Sequence, residues 1–169
     1  SGSTVNAALI SGLLSPIGLA TSGNNLFVAN LGGTIGEYTT SGSTVNASLI
    51  TGLSQPFGIA ISGNDLFVVN YASGTIGEYT TSGSTVNASL ITGLSDPRGL
   101  AISGNDLFVV NWGNNTIGEY TTSGSTVNAS LITGLKKPYG IAVVPVPEPG
   151  TTGLLAVGTA ALSLRCRRK

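Results

Sequence analysis

Carboxylates recur at fixed positions along this chain and are the first candidates for chemistry. Glu37, Glu78 and Glu119 occupy the same place in successive sequence copies, so they could form a row that binds a cation. One solvent-facing charge on a copied strand explains the same pattern, and we favour that interpretation. Asp65 and Asp106 follow Gly-Asn pairs, where Asp is common because its side chain bonds the local backbone.

Other kinds of chemistry are restricted by composition. The chain has no His, and its single cysteine, Cys166, lies among basic residues at the C-terminal end. These counts exclude internal disulfides, thiolate clusters and histidine-based metal or acid–base sites. Neither a phosphate-binding Gly-rich loop before a helix nor a Ser nucleophile motif is present. We therefore expect no enzyme activity, no cofactor and no metal site.

The elements that would position any site come from a repeat of about 40 residues. The copies span 1–40, 41–81 and 82–122, and a partial copy spans 123–144. Four strands, separated by Gly-, Ser- and Asn-containing turns, are predicted in each copy. In the example that begins in the second copy they span 58–62, 66–70, 75–80 and 85–91, and the last of these lies just after the Ser82-Gly83-Ser84 turn that opens the third copy.

The burial of these strands is predicted from their composition. The second strand is an unbroken Leu-Phe-Val-Val run, which predicts burial on both faces. The fourth strand alternates, with Val86, Ala88 and Leu90 on one side, so we expect it to be half-exposed. Apolar inner strands and a mixed outer strand, four to a repeat, indicate an all-β fold of antiparallel propeller blades.

The repeat resembles the NHL blade and the related six-bladed lactonase-type propellers over residues 14–144. The motifs that carry the resemblance are Pro56-x-Gly58-Ile59-Ala60, Gly63-Asn64-x-Leu66-Phe67-Val68-x-Asn70 and Thr75-Ile76-x-x-Tyr79. Where NHL repeats usually carry Asp, this chain has Asn30, Asn70 and Asn111. The resemblance implies a binding scaffold more often than an enzyme.

Three blades, with flanking strands expected near 1–13 and 140–144, cannot close a ring that typically needs 4 to 8 blades. The chain also lacks Met and begins inside a copy. We therefore expect further blades, and any signal peptide, to precede Ser1. An open arc, or closure by self-association, is the alternative.

A possible recognition surface emerges from the differences between the second and third copies. Apart from one Ile/Leu exchange, these differences lie in the turns before the first strand and after the second strand. Both turns should lie at the same end of an antiparallel sheet, so one face varies while the other is copied. Aromatic and charged side chains there suit binding of a polysaccharide or a surface protein. The predicted ligand-binding face comprises Phe57, Tyr71, Asp96, Arg98, Trp112, Asn114, Lys136, Lys137 and Tyr139. Drift in permissive loops is the alternative explanation.

The repeat pattern ends at a proline-rich linker, residues 145–150, which is followed by an uncharged stretch and a basic end within 151–169. As a helix, residues 151–164 would span about 21 Å, a marginal length for a hydrocarbon core of about 30 Å. Basic residues directly after it favour a cytoplasmic C-terminus. They are Arg165, Arg167, Arg168 and Lys169.

This order of elements resembles the PEP-CTERM sorting signal, with its motif at Val146, Pro147, Glu148 and Pro149. The resemblance implies an exported protein held in the inner membrane by its C-terminal helix and processed by an exosortase-type sorting enzyme. It also implies the envelope or extracellular matrix of a Gram-negative bacterium as the setting. A plain membrane anchor or a disordered tail is the alternative.

Charge separates the functional classes further. Residues 1–164 carry three basic and seven acidic side chains, so a nucleic-acid-binding body is not expected. We expect a non-enzymatic exported repeat protein that binds a ligand through one propeller face. The alternative is a lactonase or streptogramin-lyase-type enzyme whose active site would lie in blades before Ser1.

Overall fold

The computed structural model describes residues 6–143, in which twelve β-strands form three four-stranded antiparallel sheets. Each sheet takes its first three strands from one sequence copy and its fourth from the start of the next copy, and its strands follow one another in chain order. The all-β fold of four-stranded blades is therefore confirmed. The predicted linker at 145–150 and the apolar helix within 151–169 lie outside the described residues.

The first blade contains β1 (Pro16–Ser22), β2 (Asn25–Asn30), β3 (Thr34–Thr39) and β4 (Thr44–Ile50). The second contains β5 (Pro56–Ser62), β6 (Asp65–Asn70), β7 (Thr75–Thr80) and β8 (Thr85–Ile91). The third contains β9 (Pro97–Ser103), β10 (Asp106–Asn111), β11 (Thr116–Thr121) and β12 (Thr126–Ile132). The strands predicted for the second copy are thus observed within two residues of their predicted bounds.

Tight turns fix where the first hairpin of each blade ends. Gly23, Gly63 and Gly104 begin two-residue loops and have φ angles of 56°, 59° and 58°. A left-handed residue at the first loop position suits a hairpin because the turn then follows the twist of the strands, and glycine adopts it without a steric cost. These turns set the register of each first hairpin.

The second strand of each blade is buried on both faces, as predicted. In β6, Phe67 and Val69 pack toward the third blade, whereas Leu66 and Val68 pack toward the first blade. All four side chains are at most 1% exposed. Since one strand supplies apolar side chains to two inter-blade cores, its unbroken apolar sequence follows directly from its position.

The fourth strand differs from its predicted half-buried alternation. In β8, residues Thr85 to Ser89 are all exposed, including Val86 and Ala88, and burial begins only at Leu90 and Ile91. The prediction was wrong because β8 is the outer strand of its blade and pairs only with β7, through an irregular register. Only the end of β8 reaches the core. Both faces of the rest of the strand are exposed, so the alternating sequence does not produce alternating burial.

The flanking strands predicted at either end are not formed in the described residues. Residues 6–13 adopt turns and irregular chain, and residues 140–143 contain a single bridge at Val143. Ile141 and Val143 nevertheless pack against the apolar cluster of Phe108, Val110 and Ile117. The last described residues of the partial fourth copy therefore cover the open side of the third blade without the ladder of a full strand.

Successive blades are held together along their inner strands, since β1 contacts β5 and β5 contacts β9. The approach is close because glycine lies where the backbones meet. A Cβ atom built on Gly58 would lie 2.6 Å from the carbonyl oxygen of Arg98, and one on Gly99 would lie 2.8 Å from that of Tyr139. A Cβ on Gly18 would likewise overlap the Phe57 carbonyl oxygen. The glycine of each Pro-x-Gly motif therefore sets the spacing between blades.

Replacing Gly58 with Ala tests this constraint, because the added methyl group would meet backbone atoms that cannot rotate away. We expect Gly58→Ala to lower the free energy of unfolding by about 1–3 kcal/mol, the usual range for overpacking. Denaturant titration of the purified chain measures this difference. Gly140→Ala is the matched control, because Gly140 occupies the same repeat position with no atom within 4 Å of a built Cβ. Equal destabilisation by both substitutions would contradict the inter-blade explanation.

Candidate ligand-binding face

Backbone hydrogen bonds place the two variable turns of each blade side by side. The Tyr71 amide donates to the Gln55 carbonyl oxygen at 3.2 Å, and the Trp112 amide donates to that of Asp96 at 3.2 Å. At the other end of the second blade, the Thr81 amide donates to the Asn64 carbonyl oxygen at 2.8 Å. The turns therefore separate onto two ends, and the residues that differ between copies share one of them. We call that end the variable face.

A β-bulge in the first strand of each blade turns the side chain of one residue toward this face. Pro56 pairs with Asn70 and Ile59 with Val68, so the two residues Phe57 and Gly58 oppose one residue of β6. The same irregularity occurs around Arg98 in the third blade and around Ile17 in the first. An extra residue of this kind bends its strand and redirects a side chain.

Arg98 lies at the centre of the variable face, surrounded by aromatic rings from three copies. Its Cζ atom is 4.6 Å from the ring centroid of Trp112, and 4.9 to 5.2 Å from those of three other rings. The three are Phe57, Tyr71 and Tyr139. Phe57 also contacts Tyr71 and Tyr139 directly, at centroid distances of 5.8 and 5.7 Å. We call these five residues the Arg98 cluster.

The Arg98 cluster holds its guanidinium by cation–π contacts rather than by an ion pair. Within residues 6–143, Arg98 has no carboxylate and no hydrogen-bond acceptor for its side chain, and its Nε is buried without a partner. A second cation, the Nζ of Lys137, lies 5.3 Å from the Trp112 ring centroid. Cation–π contacts contribute about 0.5–2 kcal/mol each, depending on desolvation. Several such contacts can fix the guanidinium in place.

Exposure differs across the cluster. Phe57 is only 8% exposed and belongs to the core between the second and third blades, whereas Tyr139 is 53% exposed. Arg98, Tyr71 and Trp112 are half-buried. Phe57 therefore connects the cluster to the core, and Tyr139 forms the side of the cluster that is exposed to solvent.

The remaining residues of the predicted face lie around the cluster. Asp96, Lys136 and Asn114 are exposed, and Lys136 makes no cation–π contact within the described residues. The Asn114 side chain accepts a hydrogen bond from Thr116 Oγ1 at 2.8 Å, which orders its own turn. The structure brings five of the nine predicted residues together in the Arg98 cluster, and the sequence did not single out Arg98 as its centre.

Sequence reasoning missed two backbone features of the face. The residue before the proline of Pro-x-Gly is left-handed in every copy, with φ between 47° and 55°, although none is glycine. Asn115 is also left-handed, and its side chain accepts a hydrogen bond from the Lys137 amide at 2.8 Å. Strain of this kind is retained where the surrounding structure fixes it, often at binding sites. The residues before the prolines are Ser15, Gln55, Asp96 and Lys137.

The interpretation of the repeated glutamates as solvent-facing charges is wrong for Glu37, because its side chain is buried. Glu37 is buried to 9% exposure, whereas Glu78 and Glu119 are half-buried. No group of three or more carboxylate or thiol ligands able to hold a metal occurs within residues 6–143. Burial, assisted by the nearby Asp65 carboxylate, raises the pKa of Glu78 above its ordinary value.

Each blade also buries an amide where NHL repeats usually carry Asp. Asn30, Asn70 and Asn111 are at most 4% exposed, and their Oδ1 atoms have no hydrogen-bond partner. Burial raises the pKa of Tyr79, and hydrogen bonding to Asn70 partly opposes that rise. Asn70 and Tyr79 line a small cavity of about 160 Å³ beside the turn after β6. No motif in the sequence indicates this cavity, because its other lining residues are ordinary loop and strand residues.

Solved structures similar to this chain are β-propeller-like proteins. A catalytically inactive virginiamycin B lyase from Staphylococcus aureus with quinupristin is 30% identical, with a TM-score of 0.60, over 75% of this chain and 44% of that one. A nidogen/laminin complex is 22% identical, with a TM-score of 0.66, over 75% and 51% of the two chains. Hydrazine synthase from Kuenenia stuttgartiensis is 20% identical, with a TM-score of 0.68, over 85% and 43%. This chain therefore corresponds to about half or less of each of these structures.

A comparison with families matches residues 145–169 to the PEP-CTERM protein-sorting motif. This confirms the predicted sorting signal, which implies export, a membrane-anchored intermediate and processing by exosortase-type machinery. No curated protein matches the chain significantly. In the part of the chain that the structure describes, no helix is long and apolar enough to cross a bilayer.

The raised pKa of Glu78 predicts a pH-dependent effect on stability. Because the folded carboxyl binds its proton more tightly than the unfolded one, its ionised form destabilises the fold. We expect Glu78→Gln to raise Tm at pH 7, and the gain to vanish as pH falls below the ordinary Glu value. Thermal unfolding across pH measures this gain.

The control for this prediction uses Asp65→Asn, which installs the residue that the first copy has at Asn25. Removing the neighbouring carboxylate should reduce the gain from Glu78→Gln at pH 7, because Asp65 contributes to the raised pKa. A gain that stays constant across pH, or that is unchanged by Asp65→Asn, would refute this assignment.

Proposed function

We propose that this chain is part of a non-enzymatic exported repeat protein that binds an extracellular polysaccharide or surface protein through its variable face. Its sorting motif supports a location in the cell envelope or extracellular matrix of a Gram-negative bacterium. The motif would hold the protein in the inner membrane until a sorting enzyme of the exosortase type acts on it. The repeats would then act as a binding scaffold outside the cell.

The observation that carries this proposal is the Arg98 cluster. Four rings and a guanidinium from three sequence copies meet on the face that differs between copies, while the opposite turns are copied unchanged. Aromatic and Arg side chains are the residue types that contribute most to binding, because they bring large contact areas at low entropic cost. A purely structural cluster would not need to differ from blade to blade.

The cluster is also organised before any ligand binds. Phe57 lies in the inter-blade core and Tyr71 packs against that core, while backbone hydrogen bonds to the neighbouring connector hold the turns that carry Tyr71 and Trp112. A surface with few side chains left to immobilise loses less entropy on association. Tyr139 and Trp112 would present their rings to the ligand from positions that the scaffold determines.

A second candidate function is a lyase-type propeller enzyme, favoured by the 30% identity to virginiamycin B lyase. Residues 1–169 contain no His, so a lyase reaction catalysed by these residues would have to use other side chains. Incubating the full-length protein with streptogramin B antibiotics and following linearisation by mass spectrometry tests this candidate. Turnover by the purified protein would replace the binding proposal with an enzymatic one.

Removing the rings of Tyr71 and Trp112 tests the binding role. We expect the double variant Tyr71→Ala, Trp112→Ala to lose most of its retention on the extracellular matrix, because both rings contact Arg98 and are accessible. Retention is measured by fractionating cells and quantifying released protein by immunoblot. Loss of two central aromatic anchors typically costs at least about 2 kcal/mol each, or roughly 30-fold in affinity.

The matched control removes two apolar side chains elsewhere, in Val86→Ala and Val127→Ala. These residues occupy equivalent positions on β8 and β12 and are 54% and 55% exposed. Retention should be unchanged in this variant. Full retention of the ring-deleted variant, with its fold verified by circular dichroism, would contradict binding through the variable face.

The sorting role predicts a separate defect. Replacing Pro147, Glu148 and Pro149 with Ala should leave export intact but leave the tail unprocessed, so the full-length protein accumulates in the membrane fraction. Immunoblotting of membrane and released fractions for size and amount measures this. Thr151→Ala with Thr152→Ala is the control, since it alters the neighbouring residues outside the motif and should be processed normally. Normal processing of the motif variant would argue against exosortase-type sorting.

A further inference from the structure

Basic side chains in the described part of the chain are confined to the variable face. Arg98, Lys136 and Lys137 are the only basic residues in 6–143, and all three lie in the connector or first strand that borders this face. The face carries one carboxylate, Asp96, whereas the opposite turns carry Asp65 and Asp106. A body that is acidic overall therefore presents one cationic end.

The central cation is arranged to accept an anionic partner. Four ring centroids lie within 5.2 Å of its Cζ, yet the structure gives its side chain no acceptor within residues 6–143. Among its nitrogens only Nε is cut off from solvent without a partner. A guanidinium binds a carboxylate through paired N–H donors in its own plane, and rings that fix its position leave those donors to a ligand.

A second cation lies beside the same ring. Arg98 Cζ and Lys137 Nζ are 4.6 and 5.3 Å from the Trp112 ring centroid, so the two charges are at most about 10 Å apart. Lys136 is adjacent in sequence and exposed. Positive charges are thus interleaved with aromatic rings, which suits a ligand that alternates flat, weakly polar surfaces with negative groups.

From this arrangement we infer that the ligand of the variable face is an anionic polysaccharide that carries carboxylates on its sugar rings. The inference rests on the proposed binding function and specifies its ligand class. Arg98 pairs with one carboxylate, Lys136 and Lys137 attract others, and the rings of Trp112 and Tyr139 contact the C–H faces of the sugars. A nucleic acid is disfavoured because phosphate binding relies on many cations, and this face has three.

The test measures binding of the purified chain to polygalacturonate by affinity electrophoresis, with its carboxyl-reduced derivative as the neutral probe of the same backbone. We expect binding to the acidic polymer that weakens as salt increases, and at least about tenfold weaker binding to the reduced polymer. DNA and a polyglutamate peptide serve as anionic probes without sugar rings of this kind.

Charge-removing variants can be taken from the protein's own copies. Arg98→Phe places at this position the residue that the second copy has at Phe57, and Lys136→Ser with Lys137→Gln copies Ser54 and Gln55. Each should weaken binding to polygalacturonate about tenfold or more, without lowering Tm substantially. Asp96→Gln, which also copies Gln55, removes the opposing carboxylate and should strengthen binding.

The outcomes separate the ligand class from the binding face. Equal binding of acidic and reduced polymers, or unchanged binding by folded Arg98→Phe, would overturn the anionic ligand class. Tighter binding of DNA or polyglutamate than of polygalacturonate would also overturn it. If these results occur while the ring-deleted variant still loses matrix retention, the proposed binding face stands and only its ligand class fails. If the charge-removing variants still bind polygalacturonate and the ring-deleted variant is still retained on the matrix, both the ligand class and the binding face are wrong.

Discussion

The structure depends on the close approach of backbone at the inner strands. At Gly18, Gly58 and Gly99, a carbonyl oxygen from the following copy lies where a side chain would begin. That oxygen belongs to the residue between proline and glycine in the following motif. This contact between glycine and carbonyl oxygen sets the position of each blade relative to the next. The residues between proline and glycine in successive motifs therefore form a row across neighbouring blades. The order of the row is Ile17, Phe57, Arg98 and Tyr139.

The Arg98 cluster follows from that row. Arg98 lies between Phe57 and Tyr139 in this row because the glycines allow the inner strands to meet, and the rings of Phe57 and Tyr139 contact both each other and the guanidinium. Tyr71 and Trp112 then reach the cluster from the turns after β6 and β10. The site is thus a product of the stacking of blades, since no single blade contains enough of it to surround a cation.

Much of this fold could be predicted from the sequence, because glycine-containing turns and apolar runs mark the strands plainly. The separation of the turns onto two ends also followed, since it depends only on antiparallel order. The exposure of β8 could not be predicted from alternation, because it depends on which strand is outermost and how far it extends beyond the core. The centring of rings on Arg98 required the distance between blades, which no spacing along the chain encodes.

The separation between copied and varied positions has a consequence for how such a surface could be remade. Contacts that define the angle and spacing of the blades involve glycines and buried strands that are the same in the second and third copies apart from the exchange of Ile59 for Leu100. Side chains at the exposed end can therefore be exchanged without altering the angle and spacing of the blades. One forty-residue unit could therefore replace another in the stack of blades. Reordering the units would change the pattern of aromatic rings and charges on the variable face while preserving the fold that supports this face.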